Sequence, residues 1–177
     1  MRYHHLLCGF LLLLCYSCGD STVAGQKNAH TYFNLKGYIE QESNRLNRSN
    51  PSVHKTVMVN DSSESKEIKI KDWKKELSAF SDADMNRAAW KGLFRVKKSG
   101  EQEVYTSDHK KVPVKELIIT RRNGQLYGLQ LFIRNSNTLY TSADTLSYYP
   151  DSLYEVKKTQ NIRLLSTKNY RITGKFK

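Results

Sequence analysis

The chain has 177 residues, with 29 Lys and Arg against 17 Asp and Glu, a net charge of +12 and 38% hydrophobic residues; its mean hydropathy is −0.65. This is enough chain for one domain with its own core, and too polar a chain for a bundle of membrane spans. Beyond residue 18 no apolar run approaches the roughly 20 residues that a spanning helix needs.

At the N-terminus Arg2 precedes an apolar run over residues 6–14, which is too short to serve as a membrane anchor. Ser17 is a small residue of the kind a signal peptidase needs just before its cut, and Gly19-Asp20-Ser21-Thr22 opens a polar stretch behind Cys18. The spacing predicts a bacterial lipoprotein signal at 1–17, cleavage after Ser17 and acylation of Cys18. Cys8 and Cys15 fall inside the removed segment, each behind a leucine, a poor residue at a cleavage site. Cys15 departs from the pattern, which usually has Leu there. A plain secretory leader that leaves Cys18 free is the competing reading.

Cleavage would leave no thiol except the acylated one, excluding disulfides, a thiolate nucleophile and cysteine metal sites in the mature body. It would also remove one basic residue and no acid, leaving 28 Lys and Arg against 17 Asp and Glu, a net +11. Outside the cytoplasm such a charge favours anionic lipid headgroups or glycans, or an envelope protein, over nucleic acid. The expected location is the cell envelope, lipid-anchored, most naturally at the outer membrane.

Residues 18–29 are small, polar and without periodicity, so they read as a tether that can span roughly 15–20 Å root-mean-square. A single α+β domain is expected over 30–177. A helix is predicted over 31–47, with Leu35, Ile39 and Leu46 on one stripe beside Tyr32 and Glu42. Gly37 weakens that helix and Asn50-Pro51 ends it. A hairpin follows over 53–70, turning at Asn60-Asp61-Ser62-Ser63. Asp72 is a good N-cap for a second helix carrying Trp73, Leu77 and Phe80. Ser81-x-x-Asp84 matches a capping box for a further turn.

From residue 93 only strands and turns are predicted: 93–97, 103–107, 114–122, 125–134, 138–148, 153–157, 162–166 and 169–176. Asn123-Gly124 is the strongest hairpin signal. Tyr170, Ile172, Gly174 and Phe176 alternate with Arg171, Thr173 and Lys175, giving one dry and one wet face. The expected architecture is two N-terminal helices on a mostly antiparallel, meandering sheet, covering one face or filling the mouth of a strong curve.

One block is distinctive. Residues 68–80, from Ile68-Lys69-Ile70-Lys71-Asp72-Trp73 to Phe80, followed by Asp82-Ala83-Asp84-Met85-Asn86, resemble a group of uncharacterised lipoproteins from the Bacteroidetes. Tyr32-Phe33-Asn34-Leu35-Lys36-Gly37 and Lys55-Thr56-Val57 are similar to the same group's opening. The likeness covers roughly 31–95 and is looser through the strands; Arg87-Ala88 stands where the group usually has Lys-Pro. The resemblance implies a lipidated envelope protein and carries no activity, ligand or catalytic residue. Asp20-Ser21-Thr22, Asp144-Thr145-Leu146 and Asp151-Ser152-Leu153 match a loose pattern for O-glycosylation in that bacterial group.

Chemistry-bearing residues are sparse. Asp82-x-Asp84-x-Asn86 begins like a calcium loop, but Arg87 and Leu93 stand where an EF-hand needs Gly and Glu. His30, His54 and His109 lie far apart, with no metal-binding spacing. Among the glutamates available for a glycosidase pair (Glu40, Glu42, Glu76, Glu101, Glu103, Glu116 and Glu155), only Glu116 has apolar neighbours, Val114 and Ile118, on its own strand face. Trp73 shares a stripe with Leu77 and Phe80 and is expected in the core. Trp90, Tyr148 and Tyr149 are the candidate binding surface, the last two beside the turn at Pro150.

No metal or cofactor is expected beyond the lipid on Cys18. The expectation is therefore a non-enzymatic, lipid-anchored envelope protein that binds a protein or amphiphile. The alternatives are a lipid carrier or sensor with an apolar cavity, or an enzyme on envelope glycans or lipids built around Glu116 or His109.

Overall fold

The structure is a computed structural model and describes residues 31–177. The expected signal, Ser17, Cys18, the expected tether and His30 lie outside the described residues. The chain forms α1 (Leu35–Ser49), β1 (Ser52–Val59), β2 (Ser62–Lys69), two single-turn helices α2 (Trp73–Glu76) and α3 (Ser78–Ser81), a 3₁₀ turn Ala88–Trp90, and then seven strands. These are β3 (Arg95–Ser99), β4 (Gln102–Thr106), β5 (Val114–Arg122), β6 (Gln125–Ser136), β7 (Tyr140–Tyr149), β8 (Leu153–Ile162) and β9 (Lys168–Phe176). All nine strands join one sheet in the order β2-β1-β9-β8-β7-β6-β5-β4-β3, antiparallel at every step. The α+β expectation holds, with helices on one face of an antiparallel sheet.

α1 starts four residues later than its periodicity suggests, because Asn34 caps it: the Gly37 N–H donates to Asn34 Oδ1 at 3.0 Å. That cap explains Gly37, since a Cβ there would lie 2.3 Å from the Asn34 side chain. Asn50, in the left-handed region (φ 46°), closes the helix with its N–H on the Leu46 carbonyl. The buried stripe is Leu35, Ile39, Ser43 and Leu46. Ser43 rather than Glu42 fills the middle, and its hydroxyl donates to the Trp73 carbonyl at 3.4 Å.

The second predicted helix is two separate turns. Asp72 caps the first through the Lys75 N–H at 3.0 Å, and Leu77 interrupts it with φ −94°, ψ 11°. The capping box does not form. Asp84 Oδ1 instead accepts the N–H of Asn86, and Asn86 fastens residues 32–33 through the Tyr32 N–H and the Tyr32 and Phe33 carbonyls. Of the would-be calcium residues, Asp84 thus holds Asn86, and Asn86 ties the start of the domain to this loop.

Strands 153–157 and 162–166, expected as two, are the single strand β8 plus a loop. The polar Lys158-Thr159-Gln160-Asn161 reads as a turn, yet these residues pair with β7. Lys158, Thr159 and Gln160 also pair with β9, and neighbours on both sides override a weak local preference. The first hairpin turns at Asn60, a residue in the left-handed region, and Asp61. β2 is almost wholly exposed rather than half-buried.

The inner face of the sheet packs on the helices. Register places Tyr105, Leu117, Leu131 and Leu146 in one cross-strand row, and Ile119, Leu129, Tyr148 and Tyr154 in the next. Trp73, at 0% exposure, is the hub: it stacks on Phe176 (5.4 Å between centroids) and meets the edge of Tyr154. The helices cover the half of this face nearest the β7–β8 turn, where Arg45 also pairs with Asp151. Toward the other end of β1 the face is open, and Val57 and Val59 are 39% and 41% exposed.

Candidate functional site

Where the helical layer ends, a groove of about 640 Å³ opens along the inner face of β1, β2, β8 and β9. One end of it is shaped by a missing side chain. Gly174 on β9 stands directly between Lys55 of β1 and Tyr154 of β8. With no Cβ at 174, the Tyr154 ring lies across the strand; an added Cβ would fall 2.1 Å from Tyr154 Cε1. The phenol then reaches α2 and donates to Glu76 Oε1 at 2.6 Å. Lys55 Nζ approaches the same oxygen at 2.6 Å from β1.

This three-residue node pins α2 to the sheet and forms one end of the groove. Burial, and then the hydrogen bond to Glu76, push the Tyr154 phenol well above its ordinary pKa, so it stays neutral. A protonated phenol and a carboxylate already neutralised by lysine make a firm clamp and a poor nucleophile or base. Beyond the node the floor is mostly apolar, Val156, Ile172, Ile68, Ile70 and Ala79, with Ser78 beside them. Lys69, Lys71 and Lys75 stand exposed around it, with Asp72 the acid among them. An apolar floor with a lysine rim suits a molecule that has a hydrocarbon part and an anionic part.

The residues expected to form a binding surface are not brought together. Tyr148 is fully buried and its hydroxyl donates to Glu42 Oε2 at 2.7 Å. Tyr149, the next residue on the strand, necessarily points to the other face. There it is half-buried across Gly128, and it accepts a hydrogen bond from Gln130 Nε2 at 3.0 Å. Trp90 is 9% exposed, with the Arg87 guanidinium 4.7 Å from its ring centre. Tyr148 and Trp90 are core residues: a strand beside a turn still buries every second side chain, Tyr148 among them, and Trp90 closes the 3₁₀ turn with its ring buried.

Glu116 also moves. A bulge between Val114 and Glu116 puts Val114 on the inner face and Glu116 on the outer one, so the apolar pair expected to flank it is split. Glu116 does line a cleft of about 540 Å³ together with Asp108 and Asp144. By register, however, it shares a face with Phe132 and Thr145, whereas Asp144 pairs with Ile133 on the opposite face. Asp144 is bridged to Lys158 at 3.2 Å and Asp108 is paired with Arg95. His109 sits in the β4–β5 loop, its Nδ1 accepting the Lys111 N–H. His54 lies 2.8 Å from Glu67, whose carboxyl is held below its usual range by Lys177 and then by His54.

Among the described residues no group of three or more His, Cys, Asp or Glu is placed to hold a metal, and no helix is long and apolar enough to cross a membrane. Of the glycosylation-type triplets, Asp20-Ser21-Thr22 lies outside the described residues. Thr145 is on the outer sheet face, and Ser152 is exposed in the β7–β8 turn.

The groove residues were missed at the sequence level, although one signal was present. Val53, Val57 and Val59 alternate as a dry face with Lys55 in their midst, and an inward-pointing lysine on a strand needs a partner. Comparison with protein-family models, with curated proteins and with solved structures gave no match.

Proposed function

We propose that this is a lipid-anchored cell-envelope protein that binds an anionic amphiphile and performs no chemistry on it. The observation that carries the reading is the groove, with its apolar floor of Val156, Ile172, Ile68 and Ala79 under the rim of Lys69, Lys71 and Lys75. The residues 6–18, with Cys18 as the acylated residue, supply the anchor and put the groove near a source of such molecules. The helix–sheet interior is filled by Trp73, Phe80, Tyr148 and Tyr154, so the hydrocarbon part would lie in an open groove rather than in an enclosed carrier cavity. A binding role is favoured over a catalytic one because the carboxylates around Glu116 lie on opposite faces or are paired with cations.

Mass spectrometry of the protein purified from its native membrane tests both halves: a diacyl- or triacylated Cys18, and a co-purified anionic lipid. Reversing the rim (Lys69→Glu, Lys71→Glu and Lys75→Glu together) is expected to lower retention of that lipid at least about tenfold, given about 1 kcal/mol for each basic residue near an anionic headgroup. The same reversal at Lys97 and Lys98 on the far edge strand is expected to leave it unchanged. Equal retention in the two variants would refute the groove.

A further inference from the structure

The sheet end away from the β7–β8 turn carries a second feature, which is independent of what fills the groove. The Arg163 N–H donates to the Leu139 carbonyl at 2.8 Å, so the β6–β7 and β8–β9 loops stand side by side. The β1–β2 turn joins the same row through the Asn60 N–H on the Asn169 carbonyl and the Asn169 N–H on Asn60 Oδ1. At the crest of this row are three leucines turned outward: Leu139, Leu164 and Leu165, 69%, 97% and 63% exposed.

They are held there. Asn137 Oδ1 accepts the N–H groups of Leu139 and Tyr140, and the Leu165 N–H closes a turn on the Ile162 carbonyl. Leu164 sits inside that turn at φ 70°, a left-handed conformation that a leucine adopts only at a cost. An outlier of this kind at a nearly naked leucine points to a use for that side chain. The surrounding charge is basic: Arg163, Lys168 and Arg134 are exposed on the same end, with Lys110 and Lys111 in the β4–β5 loop. The acids there are Asp61, Glu64 and Asp108, and Glu64 is paired with Lys66 and Asp108 with Arg95.

We infer that this end is a membrane-docking edge: Leu139, Leu164 and Leu165 enter the acyl–headgroup boundary of a bilayer while Arg163 and Lys168 meet anionic headgroups. The shape selects the bilayer over a second copy. A stable protein interface buries about 1,200–2,000 Å² on complementary surfaces, whereas three leucines on convex loop tips offer a small wedge. Small apolar wedges flanked by cations suit an anionic membrane surface. Docking this way turns the open part of the inner face, Val57, Val59 and Tyr170, toward the bilayer. By register these lie between the groove floor and the leucine crest.

The native tryptophans are buried, so a quencher in the lipid phase acts on a tryptophan at the crest and spares them. The full chain carrying Leu164→Trp is mixed with phosphatidylglycerol–phosphatidylcholine vesicles containing a spin-labelled lipid, beside a Gln125→Trp control at the opposite end. A blue-shifted emission, quenched several-fold more at position 164 than at 125, is the expected result. Adding Arg163→Glu and Lys168→Glu, or using phosphatidylcholine alone, should abolish the difference. Equal quenching at the two positions would overturn the proposal, as would sedimentation showing that Leu164→Glu converts a dimer to monomers. Quenching at 164 in a chain whose Cys18 proves unacylated would sustain the docking edge while removing the anchor.

Discussion

Replacing Trp73 by alanine is expected to lower the unfolding free energy by about 3–5 kcal/mol, the range for deleting a large aromatic from a packed core. Single domains hold only about 5–15 kcal/mol in total, so this one residue carries a substantial share of the stability. Three parts of the fold meet at it. Its ring lies between Phe176 at the end of β9 and Tyr154 on β8, its carbonyl receives Ser43 of α1, and its N–H donates to Asn47 Oδ1 at 3.2 Å. Urea unfolding followed by circular dichroism measures the effect. Trp73→Phe is expected to cost under about 2 kcal/mol, because it also removes an indole N–H that is buried without a partner, a liability of about 1–3 kcal/mol. A loss below about 1 kcal/mol for the alanine variant would remove Trp73 from its place at the hub.

The second large effect is alkaline unfolding. Tyr148 and Tyr154 are 0% and 1% exposed. Burial first, then hydrogen bonds to Glu42 and Glu76, push both phenols far above their ordinary value. Burial and then Glu103 push Tyr105 up to about 12. In the unfolded chain the same groups titrate near pH 10. Because the folded values are the higher ones, these tyrosines contribute their full stability below about pH 10 and lose it as the pH climbs toward the folded values. At about pH 11 the loss is on the order of 1–2 kcal/mol for each of Tyr148 and Tyr154. Ultraviolet titration of the phenolate band should show Tyr148 and Tyr154 failing to ionise in the folded state and appearing only at a cooperative unfolding step. Smooth ionisation of both near pH 10 without unfolding would contradict the buried pairing.

Much of the sheet could be read from local chemistry. The strand at 114–122 is observed with the predicted bounds. Asn123 and Gly124 both take positive φ, 51° and 77°, as the two-residue hairpin turn demands. Trp73 was placed in the core by its spacing to Leu77 and Phe80. What failed depended on partners distant in sequence. Nothing local tells β1 that its other neighbour is β9, or tells the polar centre of β8 that strands will flank it on both sides. Tyr148 was assigned to the surface from its nearness to a turn, whereas its face is set by strand alternation and by Glu42 waiting on α1. The node at the end of the groove was hidden for the same reason: Gly174 leaves room for the Tyr154 ring, which shows only once Lys55 and Tyr154 lie on either side of it.

The strand order has a kinetic consequence. β3 to β9 follow one another as neighbours, so each can zip onto the strand before it. The β1–β2 hairpin instead waits for the last strand, about 120 residues away by the Val53–Phe176 pairing. Long-range pairing of this kind slows folding, and until β9 exists β1 has a row of unpaired backbone groups on the side that will receive it. The Trp73–Phe176 stack cannot form before the final residues are in place either. Loss of β9 would unpair the β1–β2 hairpin from the meander and bare a strand edge on each, leaving only the helices, through Glu42–Tyr148 and Glu76–Tyr154, to hold the two together.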